Sequence, residues 1–134
     1  MKLNKEIIVT SVLLTLTTPS LATEVVTKLL EDYSNEATQP FSAEAGRQLW
    51  NNSFVVANGD KRSCTSCHTS DPKQAGKHVR TGKRIEPLAP SVNPERLTQE
   101  REIRKWLTRN CKWTLGRECD AQEKGNLLTY LNSL

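Results

Sequence analysis

The stretch SCTSCHT at residues 63–69 decides the fold. It holds Cys64, Cys67 and His68 in the order C-x-x-C-H, the pattern for covalent attachment of a c-type haem. Two thiols at this spacing can add across the two vinyl groups of the porphyrin, and the residue that follows sets a ring nitrogen on the iron. C-x-x-C also occurs as a redox dithiol, but that usage goes with a βαβ pattern, which this sequence lacks. It can be half of a zinc site, but such a site needs two further ligands, and only His78 stands close by. The expectation is one covalent haem c, attached at Cys64 and Cys67, with His68 as the ligand on one face of the iron.

Working outward, the segments on either side read as helices. Residues 24–33 (EVVTKLLEDY) put Val26, Leu29, Leu30 and Tyr33 on one helical face. After a polar connector, Ser42 can cap a second helix with Glu44 in its first turn and Leu49 and Trp50 facing inward. Residues 69–94 carry Pro72, Gly76, Gly82, Pro87, Pro90 and Pro94, a density that forbids long regular elements and predicts a loop wrapping the haem edge. Thr98 can cap a third helix to about Arg109, with Ile103, Trp106 and Leu107 at helical spacing. A last helix from about Ala121 to Leu134 presents Leu127, Leu128, Tyr130, Leu131 and Leu134. The chain reads as all-α: a small class I-like cytochrome c fold wrapped around one covalent haem, whose apolar mass supplements a modest core. Gly46 and Tyr130 would suit the close helix crossing of such cytochromes; an ordinary helix glycine is the alternative.

The first residues, MKLNKEIIVTSVLLTLTTPSLA, combine Lys2 and Lys5, an apolar run from Ile7 to Leu16, and small residues at Ser20 and Ala22. That is the anatomy of a secretory signal peptide over residues 1–22, leaving residues 23–134 as the haem domain in the periplasm. The run is too short for a spanning helix, which needs roughly 20 apolar residues, and no second apolar run long enough to span appears downstream, so no membrane span is expected in the mature chain. The formal charge of +4 becomes +3 once Lys2, Lys5 and Glu6 are removed. Haem propionates bring it close to neutral, and Lys and Arg are dispersed among acids, so no nucleic-acid partner is expected. The two remaining cysteines, Cys111 and Cys119, follow neither a second haem motif nor a zinc pattern. In an exported chain a disulfide is the economical expectation.

The other face of the iron is the open question. Methionine, common in small electron carriers, occurs only as Met1, within the expected leader. His78 is the one other histidine, read as a surface loop residue. Lysine would first have to lose a proton. Water, an empty position or an unusual side chain remain, among them Asn110, directly before Cys111. Asn110 could equally be a helix C-cap.

The run RTGKRIEPLAPSVNPERL at residues 80–97, followed by KWLTRNC and LGREC, resembles the sphaeroides haem protein family of bacterial monohaem cytochromes c. The resemblance continues through EKGNLLTYL and covers most of residues 42–134. It implies that Asn110 binds ferric iron opposite His68, beside a disulfide between Cys111 and Cys119. It implies that reduction releases the Asn, so the ferrous site can bind O2, NO, CO and related ligands, and that a dihaem cytochrome c is the electron donor. The related cytochrome c double-prime has His where this chain has Asn110. Trp113 departs from the family pattern by putting a bulky ring in the disulfide loop, where it is expected to narrow the distal pocket. Arg80, Lys83 and Arg84 are candidates for the haem propionates, or members of a solvated basic loop.

The leading expectation is thus a periplasmic electron-transfer cytochrome with a redox-gated site for small ligands. The alternatives are a plain electron carrier with two permanent axial ligands, or a haem enzyme acting on NO or O2. No acid–base residues for the last can be identified from the sequence.

Overall fold

The computed structural model describes residues 21–134. Five helices carry the architecture: α1 (Leu21–Ser34), α2 (Ala43–Asn51), α3 (Thr65–His68), α4 (Glu100–Leu115) and α5 (Ala121–Asn132). Between them lie two antiparallel pairs of two-residue strands. In the first, β1 (Phe54–Val55) meets β2 (Lys61–Arg62) with Phe54 opposite Arg62. In the second, β3 (Gly76–Lys77) meets β4 (Arg84–Ile85) with Gly76 opposite Ile85. The fold is all-α as expected; the strand pairs only pin the loops. No described helix is long and apolar enough to cross a membrane. Residues 1–20 of the expected leader lie outside the described residues, while Leu21 and Ala22 open α1.

The helices form where their apolar spacing can be buried. On α1, Val26, Leu29 and Tyr33 recur at helical intervals and pack with Ile103 of α4 and Leu128 of α5. A second cluster holds Trp50, Cys111, Cys119, Leu127, Tyr130 and Leu131. Ser42 caps α2, its hydroxyl accepting from Ala45 N at 3.2 Å. Asp120 and Glu123 cap α5 reciprocally: the Asp120 carboxylate accepts from Glu123 N at 2.8 Å, and Glu123 accepts from Asp120 N at 3.0 Å. Where α2 crosses α5, Gly46 allows backbone contact. A β-carbon there would stand 2.7 Å from the Tyr130 Cβ, so the expected glycine–tyrosine crossing is present.

One helix is longer than its sequence predicted. α4 begins after Gln99 rather than Thr98, whose hydroxyl instead donates to Glu95 O at 2.8 Å. It runs six residues past Arg109 and ends on Gly116 at φ 74°. Asn110 therefore sits within the helix and is not its C-cap.

Candidate haem site

The attachment motif is built by local polar chemistry. Ser63 bonds the hydroxyls of Thr65 at 2.7 Å and Ser66 at 3.1 Å, side chains that favour a tight turn over a regular element. This starts α3, in which His68 N donates to Cys64 O at 3.1 Å, so one helical turn brings the Cys64, Cys67 and His68 backbone together. Thr69 then leaves with φ 65°, a conformation that costs a non-glycine residue energy unless its surroundings hold it. They do: Trp50 Nε1 donates to Thr69 O at 3.0 Å, and the Thr69 hydroxyl donates to Asp71 O at 2.9 Å.

Trp50 also faces the imidazole. Its ring centroid lies 5.4 Å from that of His68 and 6.3 Å from that of Tyr130, linking the helix crossing to the ring. Behind the motif, Gly76 of β3 packs so closely that a β-carbon would stand 2.9 Å from His68 Cα. Burial first, and then the positive charge of Arg96, hold the His68 pKa down at about 4. Its ring is thus neutral and keeps a lone pair for a metal. Burial pushes the Cys64 thiol up to about 11.

The loop over residues 69–97 is held by its own backbone contacts. The fully buried Pro72 accepts from Leu88 N at 2.9 Å and Ala89 N at 3.2 Å. Arg96 donates to Pro87 O and Glu86 O, each at 2.9 Å. His78 caps the hairpin turn, its Nδ1 accepting from Arg80 N at 3.3 Å and Thr81 N at 3.2 Å. Among the propionate candidates, Arg84 is paired with Glu86 at 2.7 Å, while Arg80 and Lys83 are exposed.

On the other side, Cys111 and Cys119 form a disulfide with Cα atoms 5.5 Å apart, and the half-buried Cys64 packs against the cluster containing both. The corner is further tied by Lys112–Glu118 at 2.9 Å and Arg117–Glu123 at 2.7 Å. Asn110, on the same helical turn, is exposed, and its amide makes no hydrogen bond to another described residue. No hydrogen bond joins it to His68. Trp113 does not stand free: the Arg62 guanidinium lies over its ring at 4.9 Å. Sequence reasoning passed over Gly76, Arg62 and Arg96 as site residues, since each acts through a partner distant along the chain.

These residues fit a haem. The two cysteines of the motif are free thiols while the other pair is oxidised, and a neutral imidazole adjoins them. Half-buried Leu49, Leu88, Leu97, Leu107 and Leu115 surround the same cluster as Cys64, apolar surface suited to a porphyrin. Among the described residues no three His, Cys, Asp or Glu side chains converge on a metal position.

Residues 36–131 match a family described as a domain of unknown function (DUF1924). The chain is 43% identical over 104 residues to the cytochrome c-type protein SHP of Cereibacter sphaeroides, across 78% of this chain and 80% of SHP. It is 36% identical over 110 residues to cytochrome c'' of Methylophilus methylotrophus, across 78% of this chain and 76% of that protein. The structure of oxidised SHP, described as an oxygen-binding cytochrome c, matches with a TM-score of 0.75 at 41% identity, covering 81% of this chain and 96% of SHP. The solution structure of M. methylotrophus cytochrome c'', described in terms of haem-ligand detachment, matches with a TM-score of 0.70 at 34% identity, covering 84% and 93%. With one C-x-x-C-H in its sequence and this overlap, the chain belongs to the SHP and cytochrome c'' family of monohaem c-type cytochromes, whose cofactor is one covalent haem c.

Proposed function

We propose that the protein is a periplasmic electron-transfer cytochrome in which Asn110 is the distal ligand of the oxidised state and leaves on reduction, opening a site for O2, NO or CO. The observation that carries this is the Asn110 amide, exposed and without a hydrogen-bond partner among the described residues, on a turn fixed by Cys111–Cys119. Bound haem supplies a one-electron couple and a coordination position. Cys64 and Cys67 hold it, and His68 serves the proximal face with its imidazole set by Trp50 and Gly76. The Asn110 oxygen is a hard, neutral donor, better matched to ferric than to ferrous iron. The disulfide and the Lys112–Glu118 pair keep the end of α4 in place, so leaving and returning are local side-chain motions. The description of SHP as oxygen-binding supports ligand binding, and that of cytochrome c'' supports ligand release. Residues 1–22 direct export, and a dihaem cytochrome c supplies electrons.

Optical spectra of the holoprotein, oxidised and reduced, with and without CO, test this. Asn110→Ala should turn the ferric spectrum high-spin while the haem stays attached and ferrous CO binding is unchanged. His78→Ala should alter neither spectrum, because its Nδ1 serves the hairpin turn. A wild-type ferric spectrum in Asn110→Ala would refute the assignment.

A further inference from the structure

The last turn of any α-helix exposes carbonyls that no residue within the helix can satisfy. In α4 one of these, Trp113 O, accepts from Arg62 Nη1 at 3.1 Å, a residue 51 positions upstream. The same guanidinium lies 4.9 Å from the centroid of the Trp113 ring, and its Nη2 donates to Asp60 Oδ2 at 3.1 Å. The Arg62 side chain is 23% exposed, so three interactions hold a cation that is largely withdrawn from water. Its charge also complements the negative end of the helix, and a guanidinium stacked on indole is attracted to the ring face.

The positions of the two residues matter more than the contact itself. Arg62 ends β2 two residues before Cys64, and Trp113 lies three residues after Asn110. The disulfide ties the turn of Asn110 to the approach to α5. Arg62 ties that turn to the attachment motif. We infer that Arg62 and Trp113 are positioning residues that fix the turn bearing Asn110 relative to the haem attachment segment. The inference rests on Asn110 being the distal ligand. Without the strap, the turn keeps its disulfide but can pivot about it, and the amide oxygen loses its fixed approach to the iron.

The test uses ferric holoprotein carrying Trp113→Ala, Arg62→Gln, both together, and Trp113→Phe. Each single loss should raise the high-spin ferric fraction several-fold, with covalent haem content and ferrous CO affinity unchanged. The double variant should be no worse than Arg62→Gln alone, because that change already removes both the carbonyl bond and the ring contact, of which Trp113→Ala removes only the second. Trp113→Phe, which keeps a ring face for the guanidinium, should restore most of the low-spin signal. A general loss of stability would give additive effects and no rescue by Phe, and either result overturns the strap. If Asn110→Ala turns high-spin while Trp113→Ala and Arg62→Gln both stay wild-type, the strap is wrong and the ligand assignment stands. If none of the three changes the spectrum, both fail together.

Discussion

Gly46 of α2 and Tyr130 of α5 approach until a β-carbon on the glycine would lie 2.7 Å from the tyrosine's own β-carbon. The neighbouring obstacle is the Asn126 backbone, which cannot swing aside as a flexible side chain would. Gly46→Ala should therefore push the two helices apart and cost about 2–3 kcal/mol, in the range for overpacked cores. Thermal unfolding of the holoprotein should show a midpoint lower by roughly 10 °C. An unchanged midpoint would mean that the crossing is not a tight contact.

Gly76→Ala acts at the attachment motif. Its new methyl would press on Cys67 O and His68 Cα, displacing the imidazole. Haem-to-protein ratio by absorbance and mass spectrometry should fall, and the remaining holoprotein should show a perturbed proximal ligand. A fully loaded protein with the parent spectrum would contradict this packing role.

The disulfide can be removed with the pair Cys111→Ser and Cys119→Ser. Closing this short loop contributes on the order of 2–3 kcal/mol, so the urea midpoint should fall. In the intact native protein neither residue should be alkylated until a reductant is added. Two reactive thiols without reductant would remove the bracing assigned to the Asn110 turn.

Acid should weaken the native state through paired carboxylates. Glu44 is held down at about 2, chiefly by its hydrogen bond from Arg47. Glu100 is lowered chiefly by Lys28, Glu118 by Lys112 and Glu123 by Arg117. Their folded pKa values lie below the unfolded ones, so this stability is complete above the ordinary carboxylate range, about 4.3. It is lost as pH falls through the lowered values, with Glu44 among the last to protonate. Melting temperatures should decline below about pH 5 and less steeply in high salt, which screens exposed pairs. A profile that ignores salt would show that these pairs contribute nothing.

How much of this was legible in the sequence depended on the range of the interaction. Val26, Leu29 and Tyr33 announce their buried face through spacing alone, and Ser42 announces its cap. The end of α4 was misread because Asn110 and Cys111 resemble a corner, whereas Cys111 packs inward and the helix continues to Gly116. The two-residue strands are too short to show any alternation. Arg62 over Trp113 and Gly76 behind His68 join residues that no local pattern couples. The attachment motif was plain because its chemistry fits in one helical turn. Spacing alone leaves Asn110 open between a helix cap and a ligand, and its proposed role rests on the resemblance.

Ser42 N donates to Asn126 Oδ1 at 2.9 Å across a separation of 84 residues, right beside the Gly46 contact. The attachment motif, both hairpins and α4 therefore lie on one chain loop whose two ends this clasp brings together. The entropy of closing such a loop grows only with the logarithm of its length, about 0.6 kcal/mol for each doubling. Lengthening the exposed turn at Asn58–Gly59 therefore barely taxes the clasp. What couples that loop to the frame is packing: Trp50 meets both Tyr130 and His68, so a change at the helix crossing reaches the attachment motif.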